Sequence, residues 1–143
     1  MSKPRTVLGF DYGARRIGVA VGQELTGTAR ALHTIHAHNS EPDWDAIAGL
    51  IKDWQPDLLV VGMPHNMDDT PHPLAETVRR FGLALQARYN LPVEWIDEKL
   101  SSVEAEQQLA ERQYAKARRR DKTEIDKLAA QVILQTWLNN NIR

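Results

Sequence analysis

The chain has 143 residues, of which 42% are hydrophobic and 26% charged, a balance typical of one globular domain with a single core. With 18 basic and 19 acidic residues the formal net charge is −1, so overall charge does not indicate a nucleic-acid binder, and only a local basic cluster could provide such a surface. The absence of cysteine from the sequence excludes disulfides, thiolate nucleophiles and cysteine zinc sites, which leaves oxygen and imidazole as metal ligands.

The sequence also predicts where the protein is found. No run of apolar residues is long enough to cross a bilayer, and the first residues, MSKPRTVLGFDYG, lack the long apolar segment of a signal peptide. We therefore expect a cytoplasmic protein without a membrane partner, folded as one domain over residues 1–143.

The first third of the chain has the pattern of three strands. A short apolar run over 6–10 ends at Asp11, and Gly13 indicates a turn. Apolar residues then alternate with glycine and alanine over 17–21, which predicts a second strand packed closely on one face. A third strand is expected over 29–35.

Helices and strands alternate through the rest of the chain. Apolar residues at helical spacing over 44–54 predict a helix that Ser40 could cap and that Pro56 ends. The unbroken apolar run over 58–61 predicts a strand covered on both faces, as in a parallel sheet. This order predicts a mixed-sheet α/β fold. The remaining expected elements are a helix over 74–89, a strand over 93–96, a helix over 101–112 and a helix from Thr123 onward.

Three acidic residues carry the chemical argument. Asp11 and Glu98 each follow a run of strand residues, and ligands of open α/β sheets gather beyond the carboxyl ends of the strands. Asp126 lies at helical spacing from Ala130 and Ile133, so its carboxylate need not face solvent. Three carboxylates brought together would repel one another unless a cation lay between them, and Mg²⁺ or Mn²⁺, which prefer oxygen ligands, are the expected ions.

Spacing alone leaves a structural interpretation of these acids open. Asp11 could simply begin a turn, which Gly13 would suit. Asp126 could be an acid in the first turn of its helix, stabilised by the helix dipole, with Thr123 as the cap.

Five separate segments match a known family in the right order. They are FDYGARRIGVAVG, LTGTARAL, DLLVVGMPHNMDDT, DEKLSSVEAE and EIDKLAAQVIL, and on these the sequence resembles the YqgF family, also called RuvX. The resemblance implies a ribonuclease-H-like fold, a five-stranded mixed sheet flanked by helices, and an acidic triad at Asp11, Glu98 and Asp126. It also implies phosphodiester hydrolysis with two metal ions, in which Asp11 bridges the ions and the other two acids complete their shells.

The family is described both as resolvase-like and as the nuclease that matures the 5′ end of precursor 16S ribosomal RNA. We expect the RNA role, with a branched-DNA nuclease as the alternative and with participation of the ribosome and the oligomeric state left open. The sequence departs from the family pattern at Asp69, where glycine is usual, and at Lys99, where arginine is usual. Lysine still meets phosphate, but without the bidentate fork of arginine.

Nucleic-acid contacts are expected from basic and polar residues near the acids. A dense basic segment over 116–122 precedes the helix that carries Asp126, although it could equally be a solvated surface loop. His36 and His38 have no third metal ligand nearby in sequence, and we interpret them as surface residues. The expected contact residues are Arg15, Arg16, Asn66, Lys99, Arg118, Arg119 and Arg120.

Two other functions remain open. The segment FDYGARRIGVAVG also resembles the phosphate loop of sugar kinases, actin and Hsp70-type ATPases, but those proteins close two such domains around ATP and this chain supplies one. The second is a non-catalytic ribosome-assembly factor that keeps the acids for folding. ATP binding and metal-dependent RNA cleavage are the measurements that separate these functions.

Overall fold

The computed structural model describes residues 3–13, 15–39, 41–64, 72–97 and 122–141. The expected helix over 101–112 and the expected cap Ser40 lie outside the described residues. The elements, in chain order, are β1 Thr6–Tyr12, β2 Arg16–Gln23, β3 Thr28–His38, β4 Glu41–Pro42, α1 Trp44–Trp54, β5 Leu58–Met63, α2 Ala75–Tyr89, β6 Val93–Asp97 and α3 Lys122–Asn141.

The strands form one mixed sheet in the order β4-β3-β2-β1-β5-β6. Strands β1, β2 and β3 are antiparallel neighbours, whereas β5 is parallel to both β1 and β6. The carboxyl ends of β1, β3, β5 and β6 therefore meet at one edge, which we call the carboxyl edge. The expectation of five strands is wrong: the described residues form six, because Glu41–Pro42 adds a two-residue edge strand beside the end of β3.

Helices cover both faces of the sheet, and the unbroken apolar strand β5 shows how. Leu59 and Val61 pack in the core beneath α1 and α2, while Leu58 and Val60 pack in a second core beneath α3. The expectation that this strand is covered on both faces is confirmed. None of the helices in the described part of the chain is long and apolar enough to cross a membrane.

Small residues on β1 and β2 let α3 lie very close to the sheet. A Cβ atom added at Gly9 would approach Leu134, and one added at Gly18 would overlap the backbone carbonyl oxygen of Asp126. At the neighbouring strand, Gln135 Oε1 accepts a hydrogen bond from the backbone N–H of Ala29 at 2.8 Å, which fixes α3 along the sheet. The predicted close packing of β2 on one face is confirmed, and it positions Asp126.

The first helix ends where its sequence predicts, directly before Pro56, but the expectation that Ser40 caps it is wrong, because Glu41–Pro42 form β4 and the helix begins only at Trp44. Asp43 caps it, because its Oδ1 accepts a hydrogen bond from the backbone N–H of Ala46 at 3.1 Å. Gln55 closes it in a left-handed conformation with φ 45°, directly before Pro56.

Candidate active site

Asp11 lies within β1 rather than after it. The strand continues to Tyr12, and the register partner of Asp11 on β2 is Gly18. Directly opposed residues of antiparallel strands point to the same face, and Gly18 faces α3. The partly buried carboxylate of Asp11 is therefore on the α3 face, one residue from the carboxyl edge.

Asp126 reaches the same place from the helix. Its backbone carbonyl packs against Gly18, the residue that pairs with Asp11. Ala130 and Ile133, which share its side of α3, are buried against the sheet as their spacing predicts. The structure thus brings two of the three sequence-predicted acids close together. Asp11 lies beside Gly18 in the sheet, and Asp126 lies over Gly18 on α3.

Arg16 has a partner that sequence analysis missed. Its Nε donates a hydrogen bond to Oδ2 of Asp126 at 2.6 Å, and the two side chains are only 29% and 25% exposed. Arg16 and Gly18 lie on the same face of β2, and this alternation was the signal that could have placed Arg16 beside α3. Arg15, the neighbouring expected phosphate contact, is exposed at the surface.

The other sequence-predicted site residues lie outside the described residues. They are Asn66, Glu98, Lys99, Arg118, Arg119 and Arg120. The departure at Asp69 lies outside them too. In the sequence, Glu98 comes two positions after Ile96, and Ile96 packs in the core beneath α3.

In the described part of the chain, the candidate metal ligands on this face are the carboxylates of Asp11 and Asp126. Within residues 3–13, 15–39, 41–64, 72–97 and 122–141 no group of three or more histidine, aspartate or glutamate residues could hold a metal. Asp11 and Asp126 supply oxygen donors of the kind that Mg²⁺ and Mn²⁺ prefer. The third expected ligand, Glu98, is not among these residues.

A polar cavity lies on the same face beside the two acids. It has a volume of about 280 Å³ and is lined by His33, Thr34, His36 and Lys127. Thr34 pairs with Gly18 and His36 pairs with Arg16, so both strand residues face α3, and Lys127 follows Asp126. His36 is exposed, as predicted, but it lines a cavity next to the acids, a placement that the strand alternation could have suggested.

Comparison with protein families gives a match over nearly the whole chain. Residues 5–140 match the family model described as "RuvX: Holliday junction resolvase". A protein of Nitrosococcus oceani is 56% identical over 96% of this chain and 88% of its own length. One of Aeromonas salmonicida is 48% identical over 94% of both chains. The names of both relatives describe them as candidate pre-16S rRNA nucleases.

Solved structures with a similar fold include resolvases. Thermus thermophilus RuvC in complex with a Holliday junction substrate is 15% identical, with a TM-score of 0.59 over 94% of this chain and 95% of that one. The fowlpox virus resolvase in complex with Holliday junction DNA is 10% identical, with a TM-score of 0.57 over 96% and 99%. At such identities the likeness concerns the fold, and it confirms the expected ribonuclease-H-like class.

Proposed function

This chain belongs to the RuvX family, and on that premise we propose that it matures the 5′ end of precursor 16S rRNA by metal-dependent cleavage. The family and the relatives at 56% and 48% identity make it a nuclease, a hydrolase that acts on phosphodiester bonds of nucleic acid. The RNA substrate is supported by the names of the relatives at 56% and 48% identity. We place the activity in one domain over residues 1–143 and in the cytoplasm, where precursor rRNA is found.

The observation that carries the proposal is the convergence of Asp11 and Asp126 on the α3 face at the carboxyl edge. We propose Glu98 as the third acid. Its support is its position in the sequence, directly after the last residue of β6, and its place in the segment DEKLSSVEAE, which resembles the family.

The donor set fits a hard divalent ion. Both described acids are partly buried carboxylates, and the guanidinium of Arg16 pairs with Asp126, so a cation already balances charge here and a metal ion would take over part of that role. Asp11, Glu98 and Asp126 would hold Mg²⁺ or Mn²⁺, which when bound neutralises phosphate charge and lowers the pKa of a water molecule.

The remaining residues of the site bind and orient the substrate. Arg16 holds the Asp126 carboxylate in place at 2.6 Å and limits its rotation. Lys127 and His36 line the adjacent cavity, where a cationic side chain attracts a phosphate of the bound strand. The other proposed nucleic-acid contacts are Arg15, Asn66, Lys99, Arg118, Arg119 and Arg120.

The test compares two substrates with one purified protein. Precursor 16S rRNA and a four-way DNA junction are each incubated with the protein and Mg²⁺, with the Asp126→Asn variant in parallel. We expect cleavage of the RNA at its 5′ end and none with the variant. Preferential cleavage of the junction would replace the RNA role with the resolvase alternative. RNA binding without cleavage would favour an assembly factor, and tight ATP binding would favour a nucleotide-binding protein.

A further inference from the structure

A second cavity lies on the face of the sheet opposite Asp11. Its volume is about 350 Å³, and its lining includes three aromatic rings, two arginines and one glutamate. The ring centroid of Phe81 is 5.0 Å from that of Tyr12 and 5.8 Å from that of Trp44. Tyr12 and Phe81 are buried core residues, whereas Trp44 is half-buried and extends the aromatic wall outward.

Charged groups surround this aromatic wall. Cζ of Arg88 lies 4.0 Å from the ring centroid of Trp44, and the side chain of Arg80 is 76% exposed. Glu41 Oε1 accepts a hydrogen bond from Nε1 of Trp44 at 2.9 Å, which holds the indole in one orientation. Arg80 also forms an exposed ion pair on α2, with its Nε 3.4 Å from Oε1 of Glu76, and such a solvent-exposed pair is weak enough for a phosphate to replace the carboxylate.

We propose that this cavity binds an unpaired nucleobase of single-stranded nucleic acid, with the flanking phosphates at Arg80 and Arg88. A base stacks on aromatic rings and on guanidinium planes, and arginines attract the phosphates on either side of it. The cavity volume lies within the range of small-ligand sites, which begins at about 300 Å³. Glu41 supplies a carboxylate that can accept a hydrogen bond from the exocyclic amino group of a base.

The position of the cavity links it to the acids, so this inference rests on the proposed function. Tyr12 directly follows Asp11, and successive strand residues point to opposite faces. Glu41 also lies at the carboxyl edge, because β4 pairs with the last residues of β3. A strand that crosses this edge can present one phosphate to the acids and a nearby base to the cavity. A base held in a duplex is stacked on both sides, so the bound segment must be single-stranded.

The experiment measures RNA binding without cleavage. A short labelled single-stranded RNA is titrated with the full chain in EDTA, and affinity is read from fluorescence anisotropy. Trp44→Leu should weaken binding about tenfold or more, because one base–aromatic stack is lost. Trp54→Leu is the matched control, since Trp54 is half-buried at the other end of α1 and also lies under an arginine, Arg30, with Cζ 5.4 Å from its ring centroid. It should bind as the parent does.

A second measurement keeps the test valid if Trp44→Leu unfolds. RNAs with one abasic nucleotide at each position in turn should include one that binds the parent more weakly, a result that needs no variant. If Trp44→Leu does fold, the loss at that position should disappear in it. Arg80→Gln and Arg88→Gln should each lower the slope of log affinity against log salt by about 0.7.

Three outcomes would overturn the inference: equal losses from the two tryptophan variants, no abasic position that matters, or unchanged salt slopes. Failure of the parent to bind any RNA or DNA would instead contradict the proposed function and remove the inference with it.

Discussion

A single methyl group at Gly18 should separate α3 from the sheet. An added Cβ would overlap the carbonyl oxygen of Asp126 and lie 3.3 Å from its Cα, and Cβ atoms essentially never come within 3.0 Å of another heavy atom. Overpacking costs about 1 to 3 kcal/mol when side chains can yield. Here the obstacle is backbone, so we expect Gly18→Ala to lower the free energy of unfolding by at least about 3 kcal/mol. For a chain of this size, that lowers the melting temperature by about 6 to 12 °C.

The matched control is Gly49→Ala, in the exposed part of α1. Nothing lies within 4 Å of a Cβ added at Gly49, so the substitution should stabilise the helix by up to about 1 kcal/mol. Urea unfolding of the two variants should therefore differ by about 4 kcal/mol. If Gly18→Ala unfolds at the same urea concentration as the parent, Asp126 does not lie over Gly18. The argument that Asp126 and Asp11 lie close together is then wrong.

Three further predictions concern charge. Arg16→Gln removes the cation beside Asp126, so the metal-free variant should be about 1 kcal/mol less stable than the parent. Mg²⁺ should then raise the melting temperature of Arg16→Gln more than that of the exposed control Arg15→Gln. Equal responses of the two variants to Mg²⁺ would contradict this prediction. Hydrogen bonds from Arg5 hold the pKa of Glu24 below its ordinary 4.5, so this carboxylate stabilises the fold fully above pH 4.5 and loses its contribution as pH falls through the lower folded value. At pH 7 the free energy of unfolding of Glu24→Gln should accordingly be about 1 kcal/mol lower than that of the parent, and this difference should disappear in acid. A difference that stays constant with pH would show that the Glu24 carboxylate is not the stabilising group. Alanine at all three arginines of 118–120 should lower the slope of log RNA affinity against log salt by about 0.7 to 0.9 per lost phosphate contact, and an unchanged slope would show that the segment does not touch the backbone.

Periodicity predicted most of the described fold because burial repeats along each element. The unbroken run of β5, the alternation of β2 and the helical spacing of α1 all report directly which residues are covered. Strand ends were harder to predict, since they depend on pairing: β1 extends through Asp11 because Tyr12 still pairs with Ile17. β4 was missed because two residues, one of them a proline, carry no periodic signal.

The placement of Asp11 and Asp126 in the fold was predictable from sequence, but their partners were not. Asp11 is found from its place near a strand end, and Asp126 from its side of a helix. The contact between Arg16 and Asp126 joins residues 110 positions apart, and it depends on where α3 lies along β2. No local sequence pattern predicts the position of α3 along β2, although the glycines on this face indicate that some element packs closely against the sheet. The cavity beside Trp44 likewise forms only when β1, β4, α1 and α2 come together.

The most direct test of the nuclease site is the cleavage rate of Asp11→Asn on precursor 16S rRNA with Mg²⁺. The substitution keeps the shape of the side chain and removes the charge that a metal needs, so cleavage should fall about a hundredfold or more while melting temperature and RNA binding stay near those of the parent. Asp57→Asn is the control, because Asp57 lies at the opposite end of β1, where its Oδ2 accepts a hydrogen bond from the backbone N–H of Thr6 at 3.0 Å, and it should cut normally. If Asp11→Asn cuts the RNA as fast as the parent, the acids on the α3 face are not the catalytic site.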